Sequence, residues 1–288
     1  MHFVQARSLL TKWNGMNIYR GCSHGCIYCD SRSECYQMKH PFEDIEVKEN
    51  APQLLENILR TKRKRIMIGT GSMSDPYQHC EEKLGLTGKC LSLIDRYEFG
   101  ATVITKSDMV LRDIDIFDSI NQKAKSVLQI SLTVADDRLS RIIEPNVCTT
   151  TRRYEVLREF QKRDIPAVVW LSPLLPYLTD DEENLRTILG YCIDAGVKGI
   201  VCFGIGMTLR AGNREYYYNA LDRHFPGLRR EYQKRYGNSY EVSSPRGDRL
   251  MRLFHSTCEK YGIIHTPDDC FRYINEMPEK NIQLSLFD

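Results

Sequence analysis

The sequence lacks any run of apolar residues approaching the roughly 20 needed to span a bilayer, so no transmembrane helix is expected. Its opening, Met1-His2-Phe3-Val4-Gln5-Ala6-Arg7, lacks the basic and apolar regions of a signal peptide. Repeats and low-complexity segments are absent. An excess of one charge is missing too: 40 Lys and Arg stand against 38 Asp and Glu, for a net charge of +2. The chain as a whole is therefore no polyanion magnet. What remains, 42% hydrophobic and 27% charged over 288 residues, is the balance of a soluble globular protein. That length suits one large domain, or one domain with an appendage. The cytoplasm is the expected location.

Cysteine, by contrast, is plentiful. Eleven cysteines without a secretory signal point to a reducing compartment, where thiols serve metals or packing. Cys22, Cys26 and Cys29 share one short run, Gly21-Cys22-Ser23-His24-Gly25-Cys26-Ile27-Tyr28-Cys29-Asp30, with C-x3-C-x2-C spacing. Three thiols on one loop can hold three irons of a [4Fe–4S] cluster. Cysteine-ligated clusters normally take four thiolates, so this set leaves one iron open to bind and activate a small molecule. Two other readings use the same residues. Zinc with His24 as fourth ligand is one, although structural zinc sites favour short-spaced pairs set apart in sequence. A disulfide framework is the other, and it belongs to small secreted chains. The spacing, and Tyr28 just before the last cysteine, resemble the radical S-adenosylmethionine (SAM) enzymes, in which SAM's amino and carboxylate groups chelate the open iron. That resemblance implies a [4Fe–4S] cluster and SAM as cofactors, and sensitivity to oxygen.

Short β-rich runs alternate with helical patterns. Strands are expected at Met16–Tyr19, Ile66–Gly69, Thr102–Thr105, Leu128–Thr133, Ala167–Leu171 and Gly199–Phe203. Helical spacing links Leu54, Leu55, Ile58 and Leu59 after Pro52, and then Leu86, Cys90, Leu93 and Ile94. It recurs at Ile116, Phe117 and Ile120, at Tyr154, Leu157 and Phe160, and at Leu185, Ile188, Leu189 and Cys192, with Gly196 placed to end the last helix. Six β-α units imply an α/β fold with a parallel sheet and right-handed crossovers. The count agrees with the partial (β/α)6 barrel that radical SAM enzymes commonly build. The barrel is expected over residues 1–206, and a mostly helical extension, packing on or capping it, over residues 207–288. Chemistry in such a fold sits on loops after the strands. The cysteine loop then lies at the active end, and the basic run Arg60–Arg65, between a helix and the next strand, at the opposite one.

The strand-end loops carry further motifs. They are Ser74-Asp75-Pro76-Tyr77 after the second strand, Thr105-Lys106-Ser107 after the third, and Ser131-Leu132-Thr133, then Glu144-Pro145 and Thr151-Arg152-Arg153, after the fourth. The fifth gives Leu171-Ser172-Pro173. With the cysteine loop, this order resembles the spore photoproduct lyase-like family of radical SAM proteins, often labelled DNA-repair photolyases. The resemblance implies reductive cleavage of SAM to a 5′-deoxyadenosyl radical that abstracts hydrogen from the substrate. Lys106 would neutralise SAM's carboxylate, Ser74 and Ser131 would offer hydroxyls to it, and Tyr28 would lie against the adenosyl group. Asp75 is expected to order its own loop, and Glu144 to pair with Arg152 or Arg153. One departure stands out. Spore photoproduct lyase has a hydrogen-returning cysteine just before its own Ser-Asp, where this chain has Ser72 or Met73. A serine O–H bond is too strong for that task. Cys80 is a candidate donor, against the reading of an inert buried cysteine.

The substrate expected from these features is nucleic acid, in DNA repair or modification. Eight Lys or Arg against four Asp or Glu between Asp222 and Arg252, and the tyrosines Tyr216, Tyr217 and Tyr218 as stacking surfaces, favour it. Gln283-Leu284-Ser285-Leu286-Phe287 matches the pentapeptide by which bacterial repair proteins dock on the DNA sliding clamp, with Gln283, Leu284, Leu286 and Phe287 as anchors. An electron donor such as flavodoxin or ferredoxin is a further expected partner. The same core would serve a maturase or a peptide- or RNA-modifying enzyme. A non-enzymatic zinc or electron-transfer protein is the alternative of another class.

Overall fold

A computed structural model describes residues 1–70 and 73–278. The clamp-like pentapeptide and Ser72 fall outside that range. The first expected strand is two. After β1 (His2–Val4), β2 (Gly15–Met16) pairs in parallel with Gly69 and Thr70, inside the main sheet. The chain then bends out, and β3 (Tyr19–Arg20) pairs antiparallel with β4 (Glu46–Lys48), which takes β1 in parallel on its other side. The cysteine loop is thus launched from a small satellite sheet, not from the barrel strand itself.

The remaining units follow the apolar pattern. They are α1 (Ala51–Thr61), β5 (Met67–Thr70), α2 (Glu81–Leu84), α3 (Leu86–Arg96), β6 (Gly100–Thr105), α4 (Ile114–Lys123), β7 (Ser126–Ser131), α5 (Asp137–Ile143), α6 (Thr150–Gln161), β8 (Ala167–Trp170), α7 (Glu182–Asp194) and β9 (Gly199–Val201). Pro52 sits in the first turn of α1, where a missing N–H costs nothing. Gly196, with φ of +58°, follows α7 in the left-handed conformation that ends helices. The six main strands run parallel in the order β2-β5-β6-β7-β8-β9, an open sheet compatible with a partial barrel.

Alternation along the strands divides two cores, because successive side chains point to opposite faces. Ile68, Leu128, Val169 and Ile200 face the surrounding helices. Their neighbours Met67, Val127, Val168 and Val201 face inward. The inward set is covered by the chain's last described helix. Beyond β9 come β10 (Gly206–Thr208), α8 (Asn213–His224), α9 (Leu228–Tyr236), β11 (Glu241–Ser243), α10 (Gly247–Tyr261) and α11 (Pro267–Asn275). Cys270 and Ile274 of α11 pack on the inward set near the strands' N-terminal ends. Ile264 extends the edge of β9 by a parallel bridge to Gly199. The extension is mostly helical, and β10 and β11 form an antiparallel pair that three-residue strands this far apart do not announce. Among the described residues no helix is long and apolar enough to cross a membrane.

Candidate active site

The cysteine loop is fixed through its backbone by three distant segments. Gly21 has φ of +88°, and a Cβ there would lie 2.5 Å from the Phe42 carbonyl, so only glycine allows the close approach. The Cys22 N–H donates to that same carbonyl at 3.2 Å. Gln78, fully buried, accepts from the Ser23 N–H at 3.1 Å and donates to the Gly21 carbonyl at 3.4 Å. From the far side, the Asn146 N–H donates to the His24 carbonyl, its side chain donates to the Ser23 carbonyl at 3.0 Å, and the Ile27 N–H donates to Ile143. The loop's polar backbone is therefore paired without belonging to any sheet, as a semi-buried segment must be. Arg32, just past the loop, lies between the Tyr216 and Phe42 rings and pairs with Glu43 at 2.6 Å.

The three thiols are brought to one place but do not converge on a point. A single tetrahedral zinc would hold its sulfurs about 3.8 Å apart. Among the described residues, the trio His2, His40 and Asp44 has its ligand atoms all within 4.8 Å of one another; Cys22, Cys26, Cys29 and His24 yield no such trio. A spread set of three sulfurs fits a polynuclear cluster better than one ion. His24 is instead buried beside Asp75, its Nδ1 3.5 Å from the carboxylate, and burial lowers its pKa. Burial pushes the Cys22 thiol up to about 12, with nearby Asp75 adding to the effect, and raises Cys26 as well. Iron binding at these cysteines would therefore release protons.

Around the sulfurs the strand-end residues form one polar network. Asp75 ties two loops together. Its Oδ1 accepts from the Tyr77 N–H at 2.9 Å and the Thr105 hydroxyl at 2.6 Å, and its Oδ2 accepts from the Lys106 N–H at 2.8 Å. The Lys106 ammonium lies 5.9 Å from the Tyr28 ring centroid and makes no ion pair among the described residues. Burial opposes its charge, but Cys26, Glu144 and Asp75 hold its pKa above the ordinary value. Glu144 is the partner that counts at neutral pH, because Cys26 remains a thiol until a metal displaces its proton. Glu144 pairs with Arg153, and both are fully buried. Burial works against Glu144's ionisation, but Arg153, Lys106 and the Tyr28 hydroxyl lower its pKa. Arg153 also donates to the Ser131 carbonyl at 2.8 Å. Arg152, the other expected partner, turns away to Asp108 and Glu155.

Ser74 donates its hydroxyl to the Tyr19 carbonyl at 2.8 Å, which leaves its oxygen as an acceptor. Ser131 closes β7 and is buried. The hydroxyl of Tyr28 is committed to Glu144, while its ring borders a cavity. That cavity, about 510 Å³, lies between Tyr28 and Cys29 of the loop, Trp170 at the end of β8, Phe203 beyond β9, and Met207 and Tyr240 of the extension. Phe203, whose ring stacks on Phe271, is 62% exposed and Tyr240 44%, so both present aromatic surface beside the cavity. Cys80 does not line this cavity; it immediately precedes α2, packs against the main core, and burial pushes its thiol up to about 11. Sequence reasoning missed Gln78, Asn146 and the Phe42 carbonyl, none of which has a local signal. It also misplaced three tyrosines. Tyr217 and Tyr218 are buried in the extension's own core, where Tyr217 donates to Tyr232, and Tyr216 stacks under Arg32, so none of the three is an open stacking surface.

The chain resembles known proteins in the ways this geometry suggests. The family model described as the radical SAM superfamily matches residues 16–189. An uncharacterized protein of Mycobacterium tuberculosis is 30% identical over 227 residues, covering 77% of this chain, and the chain spans 66% of that relative's length. An uncharacterized protein of Methanocaldococcus jannaschii is 33% identical over 171 residues, covering 58% of this chain and 62% of its own. In fold, the chain is similar to spore photoproduct lyase complexed with dinucleoside spore photoproduct, with a TM-score of 0.64 at 13% identity over 92% of this chain and 81% of that one. A mutant of the same lyase gives 0.66 at 14% identity, with the same coverage. The superfamily implies a [4Fe–4S] cluster and SAM, for which the cysteine loop and its surroundings are suited. Spanning more than half of the 288 residues, the family match shows that the chain belongs to the radical SAM superfamily.

Proposed function

We propose that this enzyme acts on nucleic acid, with a base seated in the cavity beside Cys29. The observation that carries the reading is the pair of exposed aromatics, Phe203 and Tyr240, at the mouth of a cavity whose inner wall is the cysteine loop. Base–aromatic stacking contributes about 1–3 kcal/mol per base and tolerates any sequence. Arg210, which donates to the Tyr240 hydroxyl at 2.6 Å, puts a cation at the same rim, where a phosphate would pass. The similarity of fold to a lyase complexed with dinucleoside spore photoproduct supports the same class of substrate.

In this reading Cys22, Cys26 and Cys29 hold three irons, and Lys106 receives the carboxylate of SAM. Ser74 and Ser131 accept or donate at neighbouring strand ends, and the Tyr28 ring shields the adenosyl side. When bound, the cluster and SAM supply a 5′-deoxyadenosyl radical for hydrogen abstraction. Met207 and Val242 give that cavity apolar walls, which favour the dry surroundings such a radical requires. Electrons would come from a flavodoxin or ferredoxin, and docking on a sliding clamp through Gln283–Phe287 would place the enzyme at DNA.

The test is anaerobic incubation of reconstituted enzyme with SAM, reductant and deuterated oligonucleotides, undamaged and ultraviolet-irradiated. Deuterium appearing in 5′-deoxyadenosine, with salt-dependent oligonucleotide binding, supports the reading. Turnover of SAM with no deuterium transfer and no binding at low salt contradicts it and points to a peptide or maturation substrate.

A further inference from the structure

We propose that His2, His40 and Asp44, with Glu46 beside them, form a second metal site, separate from the cysteine loop and suited to Zn2+. Ligand atoms from the first three all lie within 4.8 Å of one another. The fold gathers them from two strands and a loop. His2 on β1 stands directly opposite Glu46 on β4, and His40 and Asp44 lie on the segment that leads into β4. Two imidazoles in the set disfavour Ca2+ and Mg2+, which take oxygen ligands, and favour zinc and its neighbours.

The hydrogen bonding separates a metal site from an ordinary polar cluster. The Nδ1 of His40 lies 3.1 Å from the Pro41 carbonyl. It must be the protonated nitrogen there, since a carbonyl only accepts. That leaves Nε2 as a bare lone pair, and Nε2 is buried with no hydrogen-bond partner among the described residues. The nearby Glu46 Oε2, 3.8 Å away, is too distant for a hydrogen bond and is itself an acceptor. An imidazole fixed by a backbone carbonyl, with its other nitrogen unpartnered, is the arrangement metal-binding histidines adopt.

The His2 Nδ1 lies 2.9 Å from the Asp44 Oδ2, its N–H donating to the carboxylate. On zinc, two such ligands with bonds of about 2.0–2.1 Å would stand about 3.3 Å apart. A metal taking both atoms would displace that hydrogen bond, leave the imidazole proton on Nε2, and open the pair slightly. The Met1 amino group, 2.9 Å from the other Asp44 oxygen, already supplies one positive charge, and the metal would compete with it.

The site bears on the cysteine loop through Phe42, which lies between His40 and Asp44 and accepts the Cys22 N–H. A metal there would pin the segment against which Gly21 and Cys22 are seated.

The test uses anaerobically reconstituted enzyme, whose cysteine loop is occupied by its cluster. Zn2+ is added, and bound zinc is measured by equilibrium dialysis and calorimetry, with the melting temperature as a second readout. The expected result is one equivalent of zinc per chain and a higher melting temperature. Affinity should fall by about tenfold or more in His40→Gln and in Asp44→Asn. It should be unchanged in Cys35→Ser, which removes the exposed thiol. Asp44→Asn, at a partly exposed position, serves if His40→Gln does not fold. Equal affinity in both ligand variants, loss of binding in Cys35→Ser, or no binding by the parent overturns the proposal.

Discussion

The two ends of the barrel are built from the same strands on opposite principles. At the N-terminal end, α11 closes the interior with Cys270 and Ile274 packed on Met67, Val127 and Val168, a mainly apolar contact in which the Cys270 thiol also donates to the Ile200 and Ile264 carbonyls. At the C-terminal end the same strands run out into Asp75, Lys106, Ser131, Glu144 and Arg153, all partly or fully buried and nearly all charged. A buried charge must be matched by partners, and such matching seldom adds net stability. The apolar end therefore supplies stability, while the polar end holds an ammonium and three thiols in place. Cysteine shows the contrast within one residue type. Cys270 is fully buried and packs on Ile274's cluster, while Cys29 borders a cavity.

The largest break in this comparison is expected at the polar end. Cys26→Ala should abolish 5′-deoxyadenosine formation, measured by chromatography, and leave the melting temperature of the iron-free protein almost unchanged. Next comes Arg153→Met, which strands the buried Glu144. Removing one partner of such a pair costs about 3–5 kcal/mol, measurable by urea unfolding. Glu144 also gives this end a pH signature. Its folded pKa is lowered, so its stabilisation is present above the ordinary carboxylate value and is lost as pH falls through the folded one. Relative to Glu144→Gln, the native chain should lose stability faster below about pH 4.3, the ordinary glutamate pKa.

At the apolar end, Ile274→Ala should cost an amount in the lower part of the roughly 2–5 kcal/mol range, because a short terminal helix can partly collapse onto the cavity. Iron content should be unaffected, which separates the two ends cleanly. Phe203→Ala sharpens the comparison further. It should change stability by no more than about 0.5 kcal/mol, yet weaken oligonucleotide binding by about 1–3 kcal/mol. The smallest effect is expected for Arg63→Ala, on the exposed run leading into β5 at the apolar end, with stability and oligonucleotide affinity both within about 0.5 kcal/mol of the parent.

Much of this division was legible in the sequence, because its signals are local. Period-2 and period-3.6 patterns located five main strands within two residues and five helices. The C-x3-C-x2-C run singled out the loop around which the strand-end residues gather. What stayed hidden depends on contacts across long separations. Nothing near Gln78 says that it will hold the Ser23 N–H, and nothing near Phe42 says that its carbonyl will crowd Gly21. The first strand read as continuous because Met16 and Tyr19 are both buried, though in different sheets. Tyr216, Tyr217 and Tyr218 read as a surface because three aromatics in a row have no helical face of their own. The fold assigns two of them to a core and one to Arg32.

Everything at the polar end serves a cluster held by three cysteines with one iron left for SAM. Anaerobic reconstitution followed by electron paramagnetic resonance of the reduced protein, with and without SAM, tests this most directly. The expected result is about four irons per chain, a reduced-cluster signal that shifts when SAM is added, and loss of that signal in Cys22→Ala, Cys26→Ala or Cys29→Ala. Iron retained with a signal indifferent to SAM, or zinc bound by the same cysteines in place of iron, would contradict it.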